Sequence, residues 1–344
     1  MNPAISVIMP LYNTAAYVSA AVESILAQSF WNLELVVVDD GSTDGCVEVV
    51  RAIADERIRV LSGYINGGPG AARNRGVSVA RGKYLGFFES DDLAEPGMLA
   101  GLMEGMTDGC DIVSGWYEGM DDAGELSGID FKPVISEEKL AGSMLFRNCI
   151  ATSVLLMKRE CIEGQKFDET LEPVSDFDLW ARLMVAHKTT QVRRVLARYR
   201  THTGSISHRK RELTDECMRR IYRRQLERLG VEAADEEIEL HAQLSGLTFG
   251  TPKKTVVAAE NWLLKLDEAN AKEGLYPSGA FREILGERWY GVCHSAGENG
   301  FWTWRRFFGS PLSKWVSLTR NQQYHLLRLS ARGAIKNLIV SSCY

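Results

Sequence analysis

Residues 33–40 read LELVVVDD. The apolar run is broken only by Glu34 and closed by Asp39 and Asp40. A strand with one wet face alternates apolar and polar residues; this one does not. It reads as a strand buried on both faces, as in a parallel sheet covered by helices. Before it, ISVIMP (5–10) is a short β-branched run, and AAYVSAAVESILAQ (15–28) has helical spacing. Tyr17, Val18, Ala21, Val22, Ile25 and Leu26 fall on one face of that helix. After it come a helical stretch over 45–54, a strand in RIRVLSG (57–63), and turn residues leading into a helix in GPGAARNRGVSVA (68–80). KYLGFFE (83–89) and CDIVSGWYE (110–118) read as further strands. Strands alternating with helices predict an α/β fold with a mostly parallel sheet flanked by helices.

Ligands of such sheets sit at the carboxyl ends of the strands. Three polar strand ends, Pro10–Asn13, Asp39–Ser42 and Glu89–Asp92, are predicted to share one crevice. The last belongs to FFESDDLAEP (87–96), with three carboxylates in four residues. Like charges repel and are costly to desolvate, so such a cluster calls for a cation. Asp91 and Asp92 suit a hard divalent ion such as Mg²⁺ or Mn²⁺, with phosphate oxygens and water completing its shell. Capping of a helix near Pro96 is the structural alternative. One strand earlier, Asp39 or Asp40 can accept from a nucleobase imide N–H, while Ser42 or Asp44 can cap the next helix.

In the middle of the chain CIATSVLLMKRE (149–160) reads as a strand, and SDFDLWARLMVAH (175–187) as a helix with Leu179, Trp180, Leu183 and Met184 inward. Asp176 and Asp178 open that helix, where a carboxylate can act as a general base or simply cap; for Asp178 capping is the better reading. TTQVRRVLARYR (189–200) reads as strand leading into THTGSIS, whose Arg200 and His202 suit a loop closing on phosphate. Beyond 207 the texture changes. RKRELTDECMRRIYRRQLERLG (209–230) is a basic amphipathic helix with Leu213, Cys217, Ile221, Tyr222, Leu226 and Leu229 inward, and KTVVAAENWLLKLDEANAK (254–272) is helical too. Two regions follow: a domain over 1–207 and a helical appendage over 208–344.

A net charge of −5 gives no reason to expect nucleic-acid binding. Seven dispersed cysteines without a C-x-x-C pair predict reduced thiols and a cytoplasmic protein. There is no signal-peptide pattern, and no run approaches the ~18 apolar residues of a membrane span. After Glu298 no acidic residue occurs, whereas Arg305, Arg306, Lys314, Arg320, Arg328, Arg332 and Lys336 do. Together with Phe301, Trp302, Trp304, Phe307, Phe308 and Trp315, this tail suits a peripheral helix on an anionic membrane surface, here the inner face of the cytoplasmic membrane. The alternative is that the aromatics pack inward and the arginines pair with acidic residues.

In order and spacing, SVIMPLYN, VVVDDGSTD, GPGAARNRG, GKYLGFFESDD, SDFDLWARL and YRTHTGSIS resemble the family 2 glycosyltransferases of the GT-A fold, over residues 4–207. The resemblance implies a Rossmann-like nucleotide-sugar domain. Pro10, Tyr12 and Asn13 would line the nucleotide pocket, with Tyr12 stacking on the base. Asp40, with Asp39 beside it, would hold the imide N–H of uracil or thymine. Arg73 and Asn74 would lie near the nucleotide or donor sugar. Ser90, Asp91 and Asp92 would form the metal motif, Asp176 would be the catalytic base, and Arg200 and His202 would cover the diphosphate. The implied reaction is metal-dependent (Mn²⁺ or Mg²⁺) transfer of a hexosyl group from a UDP- or dTDP-sugar to an acceptor hydroxyl, with inversion. The implied setting is bacterial surface polysaccharide or lipid-linked oligosaccharide synthesis, with a glycan or lipid-linked acceptor. Two positions depart from the family pattern: Glu89, commonly Asp, and Ser175, usually Glu. A polyprenyl-phosphate sugar synthase and an inactive sugar- or nucleotide-binding relative are the alternatives. A dinucleotide enzyme and a P-loop NTPase are disfavoured, because G-x-G-x-x-G does not follow the first strand and no G-x-x-x-x-G-K-[ST] occurs.

Overall fold

A computed structural model describes residues 2–107, 109–201, 211–246 and 252–341. Contacts divide the chain into two units: Met1–Leu140 with Asn148–Cys217, and Ala141–Arg147 with Met218–Tyr344. The contact boundary thus lies beyond residue 207, and a short internal segment joins the second unit.

The first unit is built on β1 (Ile5–Leu11), β2 (Leu33–Asp39), β3 (Ile58–Leu61), β4 (Tyr84–Phe87), β5 (Leu93–Ala94), β6 (Ile112–Met120), β7 (Leu126–Phe131), β8 (Leu155–Lys158) and β9 (Thr189–Arg200). They form one sheet in the order β3-β2-β1-β4-β8-β6-β9-β5, with β7 paired to β6. The run β3-β2-β1-β4 is parallel. Beyond it β8 pairs antiparallel with β4 and β6, and β9 runs parallel to β6, so the sheet is mixed. Every residue of β1 and β2 is buried, as the near-continuous apolar runs require. Full burial of each Val, Leu or Ile stabilises by about 1.5–3 kcal/mol.

Glu34, the polar break in β2, is 2% exposed but accepts from Ser6 Oγ, Arg81 N, Arg81 Nε and Arg59 Nη1. Burial pushes its carboxyl up; these donors outweigh burial and hold it below the ordinary carboxylate range.

Helices α1 (Val18–Leu26), α2 (Cys46–Ala52), α3 (Gly68–Val79), α4 (Met98–Gly105), α5 (Glu137–Ser143) and α6 (Ser175–Ala186) follow in chain order. α1 buries Val18, Ala21, Val22 and Ile25, as its spacing predicts. α3 sits close to β1: a Cβ at Gly76 would come 2.4 Å from Ile8 Cγ2. CIATSVLLMKRE is only partly strand. Thr152–Val154 form a 3₁₀ turn, and β8 begins at Leu155.

The second unit is helical: the end of α7 (Arg211–Arg228), then α8 (Asp235–Gly246), α9 (Lys253–Glu273), α10 (Ser278–Ser295), α11 (Phe301–Gly309) and α12 (Arg320–Ser341). Cys217, Ile221, Tyr222 and Leu226 on α7, and Leu229 just past its end, are buried as expected. Leu213 is the exception, at 38% exposed. His241 is fully buried here, its Nε2 donating to Leu145 O and its Nδ1 accepting from Trp262 Nε1. Among the described residues six cysteines are buried, and no helix is long and apolar enough to cross a membrane.

Candidate active site

The loops after β1, β2 and β4 surround a cavity of about 1010 Å³ in the first unit. Its wall includes Pro10, Tyr12, Asn13, Asp40, Arg73, Ser90, Asp91, Asp92 and Asp176, so residues far apart in sequence converge. The parallel register explains part of this. Leu11 lies beside Asp39, and Ile8 beside Phe87, so the polar segments that follow leave the sheet at one end.

The first two loops are joined by hydrogen bonds. Asn13, a non-glycine residue at φ +51°, accepts from Thr43 N at 2.8 Å, and its own N–H donates to Ser42 Oγ. Asp39 accepts from Ser42 N at 2.9 Å, does not line the cavity, and so supports the turn. Asp44 accepts from Ala15 N and Cys46 N; burial opposes its charge, but these donors outweigh it and lower its pKa. Tyr12 is 42% exposed at the cavity wall, an aromatic face open to a planar ligand.

Asp40 is 3% exposed and already well supplied. Its oxygens accept from Gly67 N, from Gly68 N at 2.7 Å and from Arg75 Nη1 at 2.8 Å. Gly68 has φ +84°, which a glycine adopts without strain. A carboxylate offers about four lone-pair sites, so a nucleobase N–H at Asp40 must displace one of these contacts.

The carboxylates after β4 have different surroundings. Glu89 accepts from Arg73 Nη2 at 2.5 Å. Its added methylene, relative to Asp, gives it reach toward that guanidinium. Burial raises the Glu89 pKa, opposed by Arg73 and assisted by Asp91 and Asp176. Burial opposes the Arg73 charge, but Glu89 and Asp176 outweigh it. Asp92 is 1% exposed; Oδ1 accepts from Arg200 N and Oδ2 from Ser153 Oγ. Burial, then the neighbouring Asp91, push its carboxyl well above the ordinary range. Asp91 is half-buried at the cavity wall.

Asp176 stands at the first turn of α6, with Oδ1 accepting from Phe177 N and Oδ2 from Thr152 Oγ1 at 2.9 Å. Asp178 is buried away from the cavity and pairs with Arg182 at 2.9 Å. Ser175 is 1% exposed, and a Cβ at Gly70 would lie 2.9 Å from its hydroxyl, so α3 leaves little room for a longer side chain there.

Two expected site residues do other work. Asn74 is absent from the cavity wall; it bonds Phe167 through both its amide groups and donates to Glu169. Arg200 is 7% exposed and donates to the carbonyls of Asp91, Asp121 and Asp122. Its guanidinium lies 4.8 Å from the Tyr17 ring centre, so it clamps backbone and does not line the cavity. His202 lies outside the described residues. Sequence reasoning missed Thr152 and Ser153, which reach Asp176 and Asp92 from one turn.

Residues 6–132 match the profile of Glycosyl transferase family 2. The chain is 32% identical over 221 residues to the glycosyltransferase GlyG of Streptococcus pneumoniae serotype 4, an alignment covering 60% of this chain and 73% of that protein. The chain belongs to the family 2 glycosyltransferases. This glycosyltransferase is also 32% identical over 223 residues to an uncharacterised glycosyltransferase of Rickettsia bellii, covering 62% of this chain but only 32% of that longer protein. Among solved structures, S. aureus TarS 1–349 in complex with UDP-GlcNAc superposes with a TM-score of 0.54 at 19% identity, covering 85% of this chain and 87% of that one. That likeness supports the GT-A-like fold of the glycosyltransferase, a mixed sheet flanked by helices.

Among the described residues no group of three or more His, Cys, Asp or Glu converges as a metal cage. Two adjacent carboxylates remain, with hard oxygen donors; burial and then their mutual repulsion raise Asp92. This donor set fits a divalent ion that shares its shell with phosphate oxygens and water.

Proposed function

We propose that this family 2 enzyme is an inverting, metal-dependent hexosyltransferase that uses a UDP- or dTDP-sugar. The observation that carries the reading is the convergence of Tyr12, Asp91 and Asp176 on one cavity at the ends of β1 and β4 and the start of α6. Tyr12 stacks on the base. Asp40 takes the imide N–H of uracil or thymine in exchange for one of its present donors. Asp91 would be the direct ligand of Mn²⁺ or Mg²⁺, with Asp92, fixed by Arg200 N and Ser153 Oγ, holding the segment beside it. When bound, the ion neutralises charge developing on the leaving diphosphate. Arg73, paired with Glu89, borders the donor sugar. Asp176 takes the proton of the acceptor hydroxyl as its oxygen attacks the anomeric carbon, which inverts it. The S. aureus TarS complex with UDP-GlcNAc makes UDP the first nucleotide to test. A thermal-shift series with UDP, dTDP and UDP-GlcNAc, each with Mn²⁺ or EDTA, tests the reading, because a ligand of the folded state raises Tm. A Mn²⁺-dependent rise with UDP or dTDP is expected. No rise with any of them counts against it.

The acceptor we propose is a glycan or lipid-linked oligosaccharide of bacterial surface polysaccharide, reached at the inner face of the cytoplasmic membrane. Support comes from α11, α12 and the residues between them, taken by themselves. Phe301, Phe308, Tyr324 and Leu327 are exposed, amid Arg305, Lys314, Arg320, Arg328 and Arg332. Part of the tail packs inward: Phe307 is buried, Arg282 covers the Trp315 ring at 5.2 Å, and Arg306 pairs with Glu260. The expected result is co-sedimentation with anionic liposomes, weakening as salt rises. Protein left in the supernatant at low salt contradicts the membrane assignment.

A further inference from the structure

The 3₁₀ turn Thr152–Val154 enters β8, whose first residue, Leu155, pairs with Phe87 at the end of β4. Its two hydroxyls reach different carboxylates. Thr152 Oγ1 donates to Asp176 Oδ2 at 2.9 Å and accepts from Trp180 Nε1 at 3.4 Å. Ser153 Oγ donates to Asp92 Oδ2 at 2.5 Å and accepts from Glu89 N at 3.3 Å. Both residues line the cavity yet are at most 9% exposed. Arg73 from α3 and Glu89 after β4 interact with Asp176 through their charges.

We propose that the Thr152–Ser153 turn is a positioning element: Thr152 orients the base Asp176, and Ser153 orients Asp92 beside the metal ligand, on one rigid frame. The inference rests on the reading of Asp176 and Asp91 given above. It adds that one turn of chain sets the placing of both. A hydroxyl that donates to a carboxylate fixes its rotamer and favours its charged form. A shift of the turn would therefore misplace base and metal together, and small misplacements of reacting groups are costly.

The two hydroxyls are separable by experiment on the full chain. Turnover is followed as release of free nucleotide from the UDP- or dTDP-sugar that the wild type uses. Thr152→Val should lower kcat about tenfold, the size expected for losing one hydrogen bond to a charged group, with the donor KM little changed. Thr152→Ser should restore it. Ser153→Ala should instead raise the donor KM. Calorimetry in Mn²⁺, with UDP or dTDP according to which the wild type binds more tightly, should show at least about fivefold weaker binding for Ser153→Ala and little change for Thr152→Val. If the wild type binds neither nucleotide, the donor reading falls and the Ser153 assignment falls with it. If it binds and both variants behave as wild type, or both lose the same property equally, the donor reading stands and the positioning inference is overturned.

Discussion

Asp92 in the first unit and His241 in the second are both buried ionisable groups, at 1% and 0% exposure. Their surroundings differ. His241 has a partner on each nitrogen and is packed by Phe146, Tyr222 and Trp262 rings at 4.9, 5.0 and 6.0 Å. Burial holds it neutral, with its pKa lowered to about 4, and it is not among the residues that line the cavity. Asp92 also has two donors, but burial and then the neighbouring Asp91 raise its pKa, and both carboxylates line an open cavity. A closed polar knot stabilises a fold by satisfying every group it buries. Two carboxylates repelling each other at a cavity wall call for a cation. Burial alone does not separate the two cases; residual charge facing open volume does.

The largest effect expected from this contrast is at Asp176. Asp176→Asn keeps the shape and removes the proton acceptor, so turnover should fall about 10²- to 10⁴-fold with nucleotide binding largely kept. Release of free nucleotide from the donor measures it, and a variant with near wild-type turnover would place the base elsewhere. Next is His241. Its folded pKa lies below the unfolded value, so the unfolded chain takes up more protons as pH falls from about 6.5 to 4. Stability is thus fully present above that window and lost through it, by roughly 3 kcal/mol at most. Urea unfolding between pH 4 and 7 should show a shallower slope of stability against pH for His241→Gln than for the wild type; equal slopes would mean that the knot does not titrate. Smaller still is Glu89→Gln, which removes the charge partner of Arg73 at a carboxylate that keeps 25% exposure. A loss of about 2 kcal/mol is expected in chemical denaturation, and an unchanged midpoint would show that Asp176 alone suffices for Arg73.

The parallel half of the sheet was legible because burial on both faces leaves near-continuous apolar runs, as in Leu35–Val38 of β2 and Val7–Met9 of β1. The amphipathic faces of α1 and α7 were legible from their spacing, except at Leu213. β5 and β7 were not, since two residues at Leu93–Ala94 and a glycine-interrupted run at Leu126–Phe131 depend on their partners β9 and β6. The site was legible as residue types at strand ends. What each polar group binds was not. Asn74 and Arg200 read as ligand-facing, yet their donors hold backbone carbonyls. Ser and Thr in CIATSV read as part of a strand because their hydroxyl partners, Asp92 and Asp176, lie far away in sequence.

The most direct test of the central claim is calorimetric binding of UDP and dTDP to wild type and Asp91→Asn, each in Mn²⁺ and in EDTA. Asp91→Asn removes a charge from the cavity wall and leaves both Asp92 hydrogen bonds in place. The account predicts tight binding of at least one nucleotide by wild type in Mn²⁺, a loss of roughly tenfold or more in EDTA, and little Mn²⁺ dependence in the variant. Equal affinity in Mn²⁺ and EDTA, unchanged by Asp91→Asn, would contradict it.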